Sequence, residues 1–374
     1  LTTRDQSLNI LRNTVACYAG AIGVADTITT TPFDRPTGLP TEAARRNARN
    51  THHILAEECH LAQVVDPAGG SWYIEWYTDA LARQAWSLFR QVEAQGGMVQ
   101  ALVSGWVAEQ IKPTEAAREK DIAVRKVAIT GVSEHATLNE RRSDQEQPDY
   151  SQLTAAAGQR LSAWRQQHDA AAALGAVGHV AAGGGVLTAA AIAAAEAGAT
   201  LGQIAGKLVP EGSEPTVTAP LAVHPYDSAF EELRDAAEAF ADRHGHRPQV
   251  YLAGVGRIAE QVARANYARN FFEAGGFEVI AHEAPFDVDG AAAAYAASKA
   301  KIVVICSTDK QYATVVAALA PKLKAARAAT VVLAGHPGQA EAAYREAGVD
   351  RFIYVRCDVL ETLSSLLRDE EARS

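Results

Sequence analysis

Five short apolar runs in the C-terminal part of the sequence constrain its fold more than any other feature. They predict strands at Gln249–Gly254, Phe277–His282, Lys301–Ser307, Thr330–Gly335 and Arg351–Val355. The runs are continuous rather than alternating, which suits strands buried on both faces of a parallel sheet. Between them, Ile258, Val262 and Tyr267, then Val315, Val316 and Leu319, then Leu360, Leu363 and Leu367 recur at helical spacing. Such strand–helix units predict a doubly wound, flavodoxin-like α/β domain over 221–374. Ligands of such a sheet bind at the carboxyl ends of its strands, near the switch point.

Two other regions precede it. In 1–111, Asp5 is expected to cap a helix carrying Leu8, Leu11, Val15 and Ala19 on one face. The β-branched run Thr27–Thr31 reads as a buried strand that Pro32 ends. Thr41 caps a second helix, and Asp66-Pro67-Ala68-Gly69-Gly70 is a loop. A third helix carries Leu81, Ala85, Leu88, Phe89 and Val92, closed by Gly96-Gly97. This alternation suggests an α/β layer or barrel. Region 112–220 is Ala-rich, polar and broken by Gly183-Gly184-Gly185 and Pro148, and reads as a helical linker. The chain opens on Leu1 close to a helix start, so we expect it to be the later part of a longer protein.

The net charge of −9 and the scattered Lys and Arg argue against a nucleic-acid or anionic-membrane partner. No apolar run reaches membrane-spanning length. Cys17, Cys59, Cys306 and Cys357 are too widely spaced for a C-x-x-C motif and suit reduced thiols of a cytoplasmic protein. No metal site is expected. His52 and His53 are adjacent on a helix, and His244 and His246 flank Gly245 in what reads as a helix end.

The strand ends offer little unassisted chemistry. Gly254-x-Gly256 resembles the start of a dinucleotide fingerprint, but Ala259 and Glu260 replace its end, and Glu260 would repel a pyrophosphate. Cys306 and Ser307 lack a sequence-local base, so a core thiol and a helix cap are the simpler reading. His336 lies in a Gly-His-Pro-Gly turn.

Longer motifs carry a resemblance. Gly38-Leu39-Pro40-Thr41, NARNT at Asn47–Thr51, DPAGGSWYIE at Asp66–Glu75 and Gly96-Gly97-Met98 are together similar to the methylmalonyl-CoA mutase family. The resemblance implies that 1–111 is the C-terminal part of a (β/α)8 barrel that binds acyl-CoA. It also implies that the C-terminal domain corresponds to the module that holds adenosylcobalamin in catalytic chains. Those chains carry D-x-H-x-x-G after the first strand, the histidine ligating cobalt. Here the three positions fall on Val255, Arg257 and Glu260. Arginine has no lone pair for a metal, and Val255 cannot orient a ligand. The family's S-x-L reads Ser307-Thr308-Asp309, and its Gly-Gly pair reads Ala334-Gly335. The barrel run G-H-T-Q-S-L-H-T-N reads Gly23–Thr31 here, so its substrate-facing histidine and glutamine fall on Val24 and Asp26.

The expectation is therefore a small subunit without catalytic residues or cobalamin of its own. Its partner, a catalytic large subunit, would hold the cofactor and the acyl-CoA and interconvert methylmalonyl-CoA and succinyl-CoA in propionate metabolism. A catalytic mutase with an atypical cofactor mode, or a free flavodoxin-like module binding CoA or a nucleotide, are the alternatives. Substrate choice among methylmalonyl-, isobutyryl- and ethylmalonyl-CoA stays open.

Overall fold

A computed structural model of the chain describes residues 1–140, 149–209, 217–281 and 287–373. It divides into two compact units. One comprises Leu1–Met98, Trp106–Gln145 and Leu221–Ser374, and the other Val99–Gly105 and Glu146–Pro220.

The first unit begins with α1 (Leu8–Ile22), α2 (Glu42–His53) and α3 (Trp72–Ala94). Thr41 caps α2, its side chain accepting from the Ala44 N–H, as the sequence predicts. Asp5 does not cap α1. The helix starts at Leu8 after Ser7, whose hydroxyl donates to the Asp5 carboxylate at 3.0 Å. Residues 27–31 form no strand either. A strand needs a neighbour to satisfy its backbone groups, and no described strand lies in this part of the chain. Thr30 instead donates its hydroxyl to Ala48 O at 2.7 Å. In α3 only Val92 is buried. Trp72 and Trp76 lie on this helix, 92% and 65% exposed.

The second unit is helical, with α4 (Met98–Val103) at its edge. In the first unit, α5 (Trp106–Ala123) follows. The second unit continues with α6 (Tyr150–Gln167), α7 (Ala171–His179), α8 (Leu187–Glu196) and α9 (Leu201–Gly206). A small core of Ala170, Leu174, Val177 and Ala194 holds it. Trp164 Nε1 donates to Gly198 O at 2.8 Å, and a Thr200–Gln203 capping box starts α9.

The first unit resumes with α10 (Ser228–His244) and then strictly alternates. Its elements are β1 (Gln249–Gly254), α11 (Ile258–Ala274), β2 (Glu278–Ala281), α12 (Val288–Ala297), β3 (Ile302–Cys306), α13 (Asp309–Ala325), β4 (Thr330–Ala334), α14 (Glu341–Glu346), β5 (Arg351–Ile353) and α15 (Val359–Arg373). The strands form one parallel sheet in the order β2-β1-β3-β4-β5. All five lie within the expected runs, although His282, the expected end of β2, falls outside the described residues.

Strand pleating divides the core in two. Val250, Leu252, Ile302, Val304, Val332 and Ile353 face one side, against Phe230 and Phe240 of α10, Phe271 and Phe272 of α11, and Leu363 and Leu366 of α15. Tyr251, Ala253, Val303, Ile305, Val331 and Leu333 face the other, against Tyr295 of α12 and Val316, Leu319 and Leu323 of α13. Burying residues of this size is worth roughly 1.5–3 kcal/mol each, which is why both faces must be covered. Gly276, at φ +81°, makes the turn into β2, where an added Cβ would come within 2.8 Å of the Ala237 Cβ.

Polar contacts fasten the start of the chain to α10. Arg4 donates to Glu238 at 2.6 Å and also to Asp235, while the Thr3 and Arg4 N–H groups donate to Glu231 Oε1 at 2.8 and 3.2 Å. Arg234, 1% exposed, donates to Gly131 O at 3.1 Å and Thr137 O at 2.9 Å. No helix of the described residues is long and apolar enough to cross a membrane.

Asp227 sits beneath this network, buried, with no hydrogen-bond partner for its Oδ2 among the described residues. Burial first, and then the nearby Glu231 carboxylate, push its pKa up to about 6. The folded state therefore holds this proton more tightly than the unfolded state. Stability from Asp227 is present below its ordinary pKa and is lost as pH rises through about 6. Asp227→Asn should therefore be more stable than the native chain by about 1 kcal/mol at pH 7.5 and gain nothing at pH 3.5, as read from urea unfolding at the two pH values.

Candidate functional site

In a parallel sheet of this order, the direction in which strands are added reverses at β1 and β3, and the loops leaving them open a crevice at their carboxyl ends. The β1–β3 register sets Gly254 opposite Cys306, and the Val255 N–H donates to Cys306 O at 3.1 Å. The ladder thus runs one residue past β1. Val255 is 6% exposed and belongs to the apolar core, so its side chain is directed away from any ligand in solvent.

Arg257 and Glu260 start α11. The Glu260 carboxylate accepts from the Arg257 backbone N–H at 2.9 Å and from its guanidinium at 2.7 and 3.2 Å. These bonds from Arg257, side chain before backbone, depress the Glu260 pKa to about 2. The carboxylate therefore already occupies the anion-favouring end of the helix. The Arg257 guanidinium is 85% exposed and is spent on this pair.

Further side chains close the crevice. A Cβ added at Gly254 would overlap Gln261 Oε1, so the amide lies directly on that glycine. Gln311, from the first turn of α13, would come within 3.0 Å of a Cβ at Gly256. Ser307 is fully buried, its Oγ 2.7 Å from Gln311 Oε1 and 3.0 Å from Val255 O, so one proton serves two acceptors. Tyr312 crosses beneath β4, donating its hydroxyl to Ala334 O at 2.6 Å and accepting from the Ser307 N–H at 3.2 Å. Its ring edge lies where a Cβ on Gly335 would be, 2.8 Å away. Arg264 of α11 pairs with both carboxylate oxygens of Asp309 at 2.8 and 3.0 Å, bridging α11 and α13 across the crevice.

The structure thus brings Val255, Arg257, Glu260, Ser307, Asp309 and Ala334 to one end of the sheet. Val24 and Asp26 lie elsewhere, on the exposed segment after α1, where Val24 adopts the left-handed conformation at φ +56°. Cys306 is fully buried, and burial pushes its thiol up to about 12, so it is no nucleophile at neutral pH. His336 Nδ1 accepts from the Gly338 N–H at 3.0 Å and its ring packs edge-on against Tyr354. His52 stands between Cys17 and Thr30, at 3.6 and 3.1 Å, whereas His53 turns to Glu57. Gln261, Gln311 and Tyr312 had no place in the sequence reading. The usable signal was a large polar residue one turn into each helix that follows a short-residue strand end.

These features define an α/β chain whose five-stranded parallel sheet is consistent with a flavodoxin-like domain. The family model described as methylmalonyl-CoA mutase matches residues 1–213. The chain is 37% identical over 367 residues to a methylmalonyl-CoA mutase small subunit of Streptomyces virginiae, covering 98% of this chain and 48% of that protein. It is 34% identical over 377 residues to a probable methylmalonyl-CoA mutase small subunit of Mycobacterium tuberculosis, with 98% and 48% covered. With a methylmalonyl-CoA mutase of Rhizobium meliloti the identity is 30% over 334 residues, covering 87% of this chain and 47% of that protein. The chain belongs to the methylmalonyl-CoA mutase family, a family of isomerases. It spans about half the length of the curated relatives it matches.

The Tyr312 hydroxyl serves two backbone groups, and Phe in its place would strand both. Tyr312→Phe is expected to destabilise the chain by about 1–3 kcal/mol, seen as a lower urea midpoint with an unchanged dependence on denaturant.

Proposed function

We propose that this chain is part of the small subunit of a heterodimeric methylmalonyl-CoA mutase, and that it neither binds cobalamin nor carries catalytic residues. The catalytic large subunit would hold adenosylcobalamin and interconvert methylmalonyl-CoA and succinyl-CoA. The small-subunit names of the Streptomyces and Mycobacterium relatives support the assignment to that side of the pair.

One observation carries the reading: the crevice that would receive the cofactor is filled by the chain's own side chains. Adenosylcobalamin supplies radical chemistry when bound, and its tail needs a deep slot lined by small residues. Gln261 lies on Gly254, Gln311 reaches over Gly256, and the Tyr312 ring lies against Gly335. At the position of the cobalt ligand stands Arg257, a permanent cation already paired with Glu260. These residues do not fit the group. The same Glu260 carboxylate disfavours a nucleotide phosphate at the start of α11.

For 1–111 we propose the C-terminal part of a (β/α)8 barrel. The reading rests on α3, a helix of 23 residues with Trp72, Trp76, Leu81, Trp86 and Phe89 exposed. A barrel helix buries such a face against neighbouring strands and helices. In this setting residues 27–31 would pair as a barrel strand, and Val24 and Asp26 would be the substrate-facing positions without their chemistry. Residues 112–220 would join the barrel to the flavodoxin-like domain of 221–374.

Titration of the chain with adenosylcobalamin is expected to give no saturable change in the corrin spectrum. Mixing with a homologous chain that carries D-x-H-x-x-G should give a one-to-one complex, and turnover should need that second chain. Stoichiometric cobalamin binding by this chain alone would overturn the proposal. Restoring the two ligand positions with Val255→Asp and Arg257→His should still not confer tight binding, because Gln261, Gln311 and Tyr312 remain in the slot.

A further inference from the structure

Among the described residues, one group of metal-ligating side chains comes together: Glu115, Glu119 and His224. Glu115 and Glu119 are one turn apart on α5, so both carboxylates project from the same face. His224 comes from more than 100 residues later, on the segment that leads into α10. Its Nδ1 lies 3.9 Å from Glu115 Oε1, and its Nε2 lies 3.5 Å from Glu119 Oε1. The three ligand atoms lie within 4.8 Å of one another.

Two things distinguish this group from a chance meeting of surface charges. First, the nearby guanidinium of Arg118 is used elsewhere. Arg118 lies over the Tyr226 ring, 4.6 Å from its centroid, and donates to the Tyr226 hydroxyl. That contact fixes the chain two residues beyond His224 and leaves the imidazole as the group both carboxylates face. Second, the three residues help to line a cavity of about 620 Å³ whose other walls include Ile111, Ile122, Val223 and Leu360. On that apolar side, water screens the two carboxylates less than open solvent would.

We propose that Glu115, Glu119 and His224 form a site for a zinc-class divalent cation that fastens the 221–226 segment to α5. One imidazole nitrogen and two carboxylate oxygens are the donor set such ions take, with a fourth position left for water on the cavity side. Glu–x–x–x–Glu on a helix provides two ligands from a rigid element. His224 provides the third from a segment otherwise held by Arg118 and Tyr226. The ion would neutralise two like charges and close the chain over the cavity.

The test uses the whole chain, free of affinity tags and stripped with a chelator, titrated with zinc chloride by calorimetry. One saturable site is expected. Replacing even an outer-shell partner of a metal ligand weakens binding about 10- to 100-fold, so His224→Ala and Glu119→Gln should each weaken it by about ten-fold or more. Cys59→Ser and His246→Ala, which remove other exposed donors, should leave it unchanged. Zinc should also slow amide hydrogen exchange across residues 221–229 in the native chain but not in His224→Ala, which separates a local site from general stabilisation. No saturable binding by the native chain, or binding that survives His224→Ala and is lost with Cys59→Ser or His246→Ala, overturns the proposal.

Discussion

The pairing of β1 with β3 is the constraint on which the C-terminal domain and its candidate site depend. β1 lies between β2 and β3, so the loops after β1 and β3 leave the sheet in opposite directions. The register that sets Val250 against Ile302 and Gly254 against Cys306 brings their ends level. A slip of one residue would turn Val303 and Ile305 away from α13 and expose their apolar surface to the wrong layer. The same register puts Ser307 under Val255 and within reach of Gln311. Core packing and site geometry are thus set by a single ladder.

At that level end the chain satisfies its own polar groups. Glu260 takes the anion position of α11, Asp309 stands in the first turn of α13, and Arg264 ties α13 to α11. Ser307, Gln311 and Tyr312 form a connected set reaching the β4 backbone at Ala334. A ligand entering here would have to displace several bonds and restore each one, because a buried polar group left unpaired costs about 1–3 kcal/mol. The arrangement therefore favours a rigid, closed sheet end over a receptive one.

Much of this was legible beforehand because parallel strands buried on both faces leave a mark that needs no partner to read. Ile302–Cys306 and Thr330–Ala334 are continuous apolar runs whose type follows from composition alone. Thr41 was equally clear, since a cap acts within three residues. Residues 27–31 have strand propensity, but a strand is completed by a non-local neighbour, and propensity carries no information on whether one is present. No side chain caps α1: the helix starts after Ser7, and Asp5 sits in left-handed backbone at φ +45°, a conformation that its residue type does not announce. Arg257 and Glu260 were found as substitutions, whereas their pairing follows from spacing that a helix start makes favourable. Gln261, Gln311 and Tyr312 were hidden for a different reason. Their positions are ordinary for helix residues, and only the strand register shows that they point into the same crevice.

The two ends of the first unit stand in different physical situations. In the flavodoxin-like domain both faces of the sheet are covered, and its largest side chains, from Phe230 to Leu333, are fully buried. In α3 the balance is reversed: a long helix presents two tryptophans at more than 60% exposure beyond the one at its start, with only Val92 buried. Exposed apolar side chains gathered on one helix are suited to cover by another surface. The DPAGGSWYIE motif leads into this helix, with Trp72 and Tyr73 both exposed. Under the barrel reading proposed above, these aromatic residues would face the neighbouring parts of the barrel. The two ends therefore differ in what covers them: α3 keeps its aromatic residues exposed, while the sheet end is filled by the chain's own side chains.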